Sequence, residues 1–162
     1  MTVWSGERIA KFVKQPPEIK INPNGVDLKV SEVWRINDDS NVIINFKQRE
    51  IIPPKVLIKL EGEFYTLKRG IYEIRVANEI EIPKNVVAFF FPRSTLNRLG
   101  IIKSQTAVGD SGYKGFATQT IFVPIKKIKI HKDEFWIQLV YMDCESSNLS
   151  YDGHWQNEKP KQ

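Results

Sequence analysis

The sequence predicts an all-β domain, a distorted antiparallel barrel or jelly roll with short helical segments. Two observations carry this prediction. Short runs rich in β-branched and aromatic residues follow one another along the 162 residues, and turn-forming residues separate them. Hydrophobic residues make up 41% of the chain, which is enough for one buried core. Many short strands at this spacing are typical of antiparallel barrels and jelly rolls.

The first element is a short helix. Ser5 can cap its N-terminus, and Ile9, Phe12 and Val13 share one apolar face. The prolines at 16–17 are expected to end it, because proline cannot continue a helix.

Strands account for most of the remaining chain. In chain order they are predicted at 27–35, 42–46, 56–60, 64–67, 71–76, 86–91, 116–123, 125–130 and 135–141. Turns are predicted at 37–40, 53–54, 61–62, 69–70 and 83–85, where Asn, Asp, Pro or Gly residues lie. Residues 143–162 are polar and poorly patterned. We therefore expect a barrel domain at 1–142 and a flexible C-terminal lid or tail at 143–162.

Charge and composition exclude several classes of protein. The net charge of +5 favours anionic partners. The basic run at 126–132 alternates with isoleucine, which favours a half-buried strand over a nucleic-acid groove, because interleaved aromatic residues are lacking. One cysteine excludes an internal disulfide, and two histidines argue against structural zinc. No apolar run approaches a membrane span and no signal peptide is present, so we expect a cytoplasmic protein (host cytoplasm if viral) without nucleic-acid or membrane partners.

The segment at 92–100, PRSTLNRLG, predicts a short helical turn that ends on glycine. A helix N-terminus offers free N–H groups, and Ser94 and Thr95 add hydroxyl donors. Arg93 and Arg98 can supply charge-assisted hydrogen bonds. This combination suits phosphate binding, whereas the alternative is an amphipathic turn with solvated arginines.

The segment at 108–115, VGDSGYKG, predicts a tight hairpin with the Asp110 carboxylate at its tip. Asp-Ser-Gly alone is an ordinary turn. Tyr113 follows three residues later, and an aspartate beside an aromatic ring can activate water against a bound nucleotide.

These segments resemble the dUTPase and dCTP deaminase superfamily, through its Pro-Arg-Ser-Ser and Val-Ile-Asp-x-x-Tyr-x-Gly motifs. Three more segments are similar: NPNGVDLK at 22–29, FWIQLV at 135–140, and YDGHWQ at 151–156. The last is similar to the Tyr-x-Gly-Lys-Tyr-Gln tail of deaminases and bifunctional enzymes, with His154 replacing Lys and Trp155 replacing Tyr. Gly109 departs from the usual Ile, and we expect it to loosen the hairpin.

The resemblance implies a role for each matching residue. Asp110 would be the base that activates water, and Tyr113 would pack on the deoxyribose. Mg²⁺ would be the cofactor, supported by Asp27 indirectly through water. The substrate-binding residues would be Arg93, Ser94, Thr95, Arg98 and Gln138 at the phosphates, Thr118, Gln119 and Thr120 after the hairpin, and Tyr151, His154, Trp155 and Gln156 in the lid. The resemblance also implies a homotrimer with active sites built between subunits.

One position distinguishes the branches of the superfamily. Deaminases carry a glutamate five residues after the hairpin glycine, where this chain has Thr120. A hydroxyl cannot shuttle protons near neutral pH as a carboxylate does. The resemblance therefore favours a dUTP diphosphatase, an enzyme that hydrolyses dUTP to dUMP and pyrophosphate. The alternatives are a dCTP deaminase, mono- or bifunctional, a non-catalytic nucleotide-binding protein of the same fold, and last a basic nucleic-acid-binding barrel.

Overall fold

The computed structural model describes residues 2–37, 39, 54–104 and 108–160. Its elements, in chain order, are α1 (Gly6–Ala10), β1 (Lys20–Asn22), β2 (Gly25–Leu28), β3 (Val30–Ile36), β4 (Lys55–Leu57), β5 (Phe64–Val76), β6 (Ile80–Glu81), β7 (Val86–Pro92), α2 (Ser94–Arg98), β8 (Ile102–Lys103), β9 (Lys114–Gly115), β10 (Thr118–His131) and β11 (Ile137–Asp143). The strand predicted at 42–46 lies outside the described residues.

Three antiparallel sheets organise these strands. One sheet has the order β1-β2-β11-β7, a second has the order β4-β3-β5-β10-β8, and β6 pairs with β9 in a short third sheet. The predicted all-β architecture with short helical segments is confirmed. The strand predicted at 27–35 is two strands, because the chain leaves the first sheet after Leu28 and enters the second at Val30.

Two predicted breaks are wrong. Residues 64–67 and 71–76 belong to one strand, β5, which continues through the turn predicted at 69–70. Residues 118–131 also form one strand, β10, although Pro124 lies inside it. The register between the two strands shifts between Val123 and Lys127, so the proline lies in an irregularity where no regular ladder bond is needed.

The first helix confirms its predicted cap but is shorter than expected. The Ser5 hydroxyl accepts a hydrogen bond from the Arg8 amide at 3.4 Å. The helix ends at Ala10 rather than at the prolines, since Val13 already forms a β-bridge with Ile80. In the part of the chain that the structure describes, neither five-residue helix has the length or apolar character needed to cross a membrane.

Two hydrophobic clusters form the core. One contains Leu139 and Tyr141 from the first sheet, and the other contains Tyr72 and Trp136. Phe90 on β7 packs against both clusters. The same residue also lines the cavity described next, so the core directly supports the wall of that cavity.

Candidate active site

A cavity of about 350 Å³ opens beside the predicted hairpin. Its wall contains six of the residues predicted for the site: Asp110, Tyr113, Thr118, Gln119, Tyr151 and Trp155. Phe90, Val108, Gly109, Ala117 and Glu158 complete the wall. A cavity with an apolar floor and a few convergent polar groups is the usual form of a small-molecule site.

The hairpin is fixed by bonds on both of its sides. The Tyr113 amide donates to the Asp110 carbonyl at 3.1 Å and closes the tip. Gly109 exchanges two backbone hydrogen bonds with Ala88 on β7, at 2.8 and 2.9 Å. The Gly112 amide donates to the Ile82 carbonyl at 2.8 Å. The hairpin therefore holds Asp110 at a defined place against the barrel.

Close packing explains the glycine at position 109. A Cβ atom there would lie 2.6 Å from Ile82 Cδ1 and 2.9 Å from the Ala88 Cβ. Such distances are shorter than carbon atoms tolerate. Neighbouring side chains thus fill the space beside Gly109, and the expectation of a loose hairpin is corrected.

The Asp110 side chain is exposed at the mouth of the cavity. Among the described residues it makes no hydrogen bond or ion pair. Glu158, the second carboxylate of the wall, is bound by Arg75 at 2.8 Å. Asp110 is therefore the carboxylate of this cavity that is free to accept a proton from water.

Tyr113 belongs to the hairpin and contacts the C-terminal segment, residues 151–158. Its ring packs edge-on against the Tyr151 ring at 5.5 Å. Burial raises the pKa of the Tyr113 hydroxyl well above its usual value, and the nearby Glu158 carboxylate raises it further. The phenol therefore stays neutral across the physiological range, and Tyr113 lines the cavity as an uncharged residue.

The C-terminal segment lies on the hairpin. The Tyr151 amide donates to the Ser111 carbonyl at 2.9 Å. The Gln156 side chain accepts from the Lys114 amide and donates to the Gly112 carbonyl, both at 2.8 Å. These bonds seat the predicted lid in the described structure, while its opening stays a prediction.

The lid residues Gln156, His154 and Trp155 differ in their contacts within the chain. Gln156 does not line the cavity, since its amide is occupied by the hairpin backbone. His154 is exposed and packs edge-on against the Trp155 ring at 4.8 Å. Trp155 does line the cavity and is 49% exposed. For Gln156 and His154, contact with substrate stays a prediction.

A second group of predicted residues lies outside this cavity. Arg93 Nε contacts Asp27 Oδ2 at 2.7 Å, and its Nη1 contacts Glu134 Oε1 at 2.9 Å. Gln138 on β11 is the register partner of Asp27 on β2. Ser94, Thr95 and Arg98 are exposed on α2. None of the predicted residues in this group lines the cavity.

Thr120 also lies outside the cavity wall, and its substrate contact stays a prediction. Its carbonyl accepts a hydrogen bond from the Ser104 amide at 2.8 Å. Its register partner on β5 is Glu73, which forms an ion pair with Lys55. The carboxylate opposite Thr120 in the sheet is therefore already paired.

Glu63, His131 and Asp133 form a separate acidic cluster, with ligand atoms within 4.8 Å of one another. None of the three lines the cavity. Asp27 is buried and paired with Arg93, and its indirect role toward a metal stays a prediction.

Sequence reasoning missed Arg75, Phe90 and Glu158. Arg75 lies between the apolar residues Ile74 and Val76 in β5, which was a signal that a buried partner was needed. Phe90 looked like an ordinary strand residue. Glu158 lies in an unpatterned tail, so no local signal indicated that it would reach the cavity.

Comparisons with known proteins identify relatives of this chain. Residues 3–144 match the family described as dCTP deaminase-like. A probable deoxyuridine 5'-triphosphate nucleotidohydrolase of Methanosarcina barkeri is 30% identical over 99% of this chain and 100% of its own length. The deoxyuridine 5'-triphosphate nucleotidohydrolase of Methanocaldococcus jannaschii is 31% identical over 88% of this chain and 90% of its own.

A solved structure shares the fold. The 2'-deoxycytidine 5'-triphosphate deaminase of Agrobacterium tumefaciens superposes with a TM-score of 0.64 at 16% identity. The match covers 86% of this chain and 47% of that one, so this chain spans about half the length of the deaminase chain. At that identity the likeness concerns the fold alone.

Proposed function

Because this chain belongs to the dCTP deaminase-like family, we propose that it is a dUTP diphosphatase that hydrolyses dUTP to dUMP and pyrophosphate. The observation that carries the proposal is the free Asp110 carboxylate beside Tyr113 in one cavity. The archaeal relatives named as deoxyuridine 5'-triphosphate nucleotidohydrolases support the choice of substrate.

In the proposed reaction Asp110 accepts a proton from a water molecule. The water oxygen attacks the α-phosphorus, and the bond to the bridging oxygen of pyrophosphate breaks. Tyr113 packs against the deoxyribose, and Trp155 and Tyr151 cover the nucleotide and exclude bulk water. Thr118 and Gln119, which line the cavity, would face the base.

Mg²⁺ is part of the proposal. It would be carried by the triphosphate, where it neutralises phosphate oxygens that otherwise repel the nucleophile. The chain would support it indirectly, through Asp27 and the Arg93 guanidinium that Asp27 holds. The phosphates would be bound by Arg93, Ser94, Thr95, Arg98 and Gln138.

The separation of the two residue groups supports the proposed homotrimer. Asp110 and Tyr113 line one cavity, while Arg93 and Gln138 lie outside it in the same chain. A site that uses both groups needs the second group from a neighbouring copy. Light scattering should give three times the chain mass at assay concentrations, and a monomer that is fully active would contradict the proposal. We further propose that the enzyme acts in the cytoplasm.

The deaminase alternative lacks a carboxylate at the position where deaminases carry their glutamate. Thr120 stands at the glutamate position, and Glu73 opposite it is paired with Lys55. A nucleotide-binding protein without catalysis would keep the cavity but release no product. Pure protein should therefore be incubated with dUTP and with dCTP in the presence of Mg²⁺. We expect pyrophosphate from dUTP and no ammonia from dCTP. Ammonia above the no-enzyme control would favour the deaminase, and tight dUTP binding without pyrophosphate would favour the binding protein.

A further inference from the structure

Arg75 is a cation almost completely removed from water. It lies on β5 with 2% of its surface exposed. Its Nε donates to Glu32 Oε2 at 2.9 Å, and its Nη1 contacts Glu158 Oε1 at 2.8 Å and the Phe116 carbonyl at 3.1 Å. A buried charge is tolerated only when it is paired in this way.

The two carboxylates come from different parts of the chain. Glu32 belongs to β3, next to Arg75 in the same sheet. Glu158 comes from the C-terminal segment and also lines the cavity. One partner is therefore fixed by the barrel, while the other is present only when the segment is seated. If the segment leaves, Glu32 still neutralises Arg75, so the barrel can persist.

Backbone hydrogen bonds also attach the C-terminal segment to the hairpin. The Phe116 amide donates to the Glu158 carbonyl at 3.0 Å, and the Asn157 amide donates to the Lys114 carbonyl at 2.8 Å. These bonds place 156–158 alongside 114–116. The direction of the segment just before them, which includes Trp155, is then determined.

The hairpin also has a surface that fits the segment. A Cβ atom on Gly115 would lie 3.0 Å from the Glu158 nitrogen and 2.9 Å from the Tyr113 hydroxyl. Gly115 also has a φ of +153°, which side chains rarely adopt. The close approach of Glu158 therefore depends on a residue without a side chain.

We propose that the Arg75–Glu158 ion pair sets the position of the C-terminal segment on the hairpin and so holds Trp155 over the cavity. Arg75 and Glu158 are then positioning residues for the hydrolysis of dUTP, a role that rests on the proposed function. They act through the segment and not on the reacting atoms.

The test compares substitutions on opposite sides of one guanidinium. Glu158→Gln removes the charge of the segment's partner, and Glu32→Gln removes the charge of the barrel's partner. Glu145→Gln, an exposed carboxylate earlier in the tail, is the matched control. The readouts are hydrogen exchange of residues 151–158 without nucleotide, the melting temperature, and the KM and kcat for dUTP.

For Glu158→Gln we expect faster exchange of 151–158 and a KM raised roughly tenfold or more, the size expected for a lost charged hydrogen bond. Its melting temperature should stay close to that of the parent protein. Glu32→Gln should lower the melting temperature without faster exchange of the segment, and Glu145→Gln should change none of these quantities.

Wild-type exchange of 151–158 in Glu158→Gln would overturn the proposal. A loss of stability like that of Glu32→Gln, with unchanged segment exchange, would also overturn it, because Glu158 would then be a structural partner only. If the wild-type protein releases no pyrophosphate from dUTP, the proposed function fails. The exchange measurement, which uses no nucleotide, still decides the role of the ion pair.

Discussion

Gln156→Ala should open the C-terminal segment. The Gln156 amide makes two hydrogen bonds of 2.8 Å to peptide groups of the hairpin, one at Lys114 and one at Gly112. Each such bond contributes about 0.5–1.5 kcal/mol net, so the substitution should cost the closed state about 1–3 kcal/mol. Since 1.4 kcal/mol is a factor of ten, the equilibrium between closed and open should shift roughly 5- to 150-fold toward open.

The assay is exchange of single amides followed by NMR. The amides of Phe116 and Asn157 bond to backbone carbonyls across the hairpin and the segment, and Gln156→Ala leaves those acceptors in place. Their exchange therefore reports the position of the segment and not the missing side chain. Both amides should exchange faster by the same factor.

Gln156→Glu and Lys159→Ala are the comparison variants. Glutamate keeps an acceptor for the Lys114 amide but offers no donor to the Gly112 carbonyl, so it should also favour the open state. Lys159 is exposed and makes no ion pair within the described residues, and its removal should have no effect. Wild-type exchange at Phe116 and Asn157 in Gln156→Ala would refute the reasoning, because the side-chain bonds would then not hold the segment.

Four other outcomes are expected. Asp110→Asn should lower kcat for dUTP by roughly 10²–10⁴-fold with nucleotide binding kept, measured by pyrophosphate release and calorimetry, and near-normal turnover would remove Asp110 from the role of base. Tyr113→Ala should narrow the preference for dUTP over UTP in kcat/KM, whereas an unchanged ratio would leave Tyr113 a packing residue only. Removal of all residues after Ser150 should leave a folded barrel by circular dichroism with slow dUTP hydrolysis, and full activity would show that the tail has no role. Burial raises the pKa of the Tyr113 and Tyr141 hydroxyls, so the stability that these neutral phenols contribute is complete below the unfolded tyrosine pKa of about 10 and is lost as the pH rises further. The melting temperature should therefore fall above that pH, and it should fall less steeply with pH in Tyr141→Phe. The same dependence of melting temperature on pH in the variant and the parent protein would contradict this.

Local patterns predicted most strands because alternation and turn residues act over a few positions. These patterns failed where pairing with a neighbouring strand determines whether a strand continues. Residues 69–70 look like a turn and Pro124 looks like a strand end, yet both lie within long paired strands. The register shift between Val123 and Lys127 accommodates the proline, and such a shift depends on the partner strand.

In the candidate site, too, contiguous residues could be predicted from the sequence and contacts between distant residues could not. The hairpin around Asp110 and Tyr113 could be predicted, because its residues are contiguous. The partners of Arg75 could not be predicted, since Glu32 lies far before it and Glu158 far after it in the sequence. The place of Asp27 was also unexpected. Arg93 binds it, and that contact arises because β2 and β7 both pair with β11.

The environment of Arg93 has a consequence for how an anion arrives. Its guanidinium contacts Asp27 and Glu134, so the three charges sum to minus one. At a distance this group therefore does not attract an anion, although the planar guanidinium can orient one at short range once a carboxylate is displaced. Electrostatic steering of a triphosphate must come from other cations nearby, such as Arg98, which forms no ion pair with any residue that the structure describes. We therefore expect the association rate to depend on ionic strength through Arg98, with Arg93 setting the geometry of the bound phosphate.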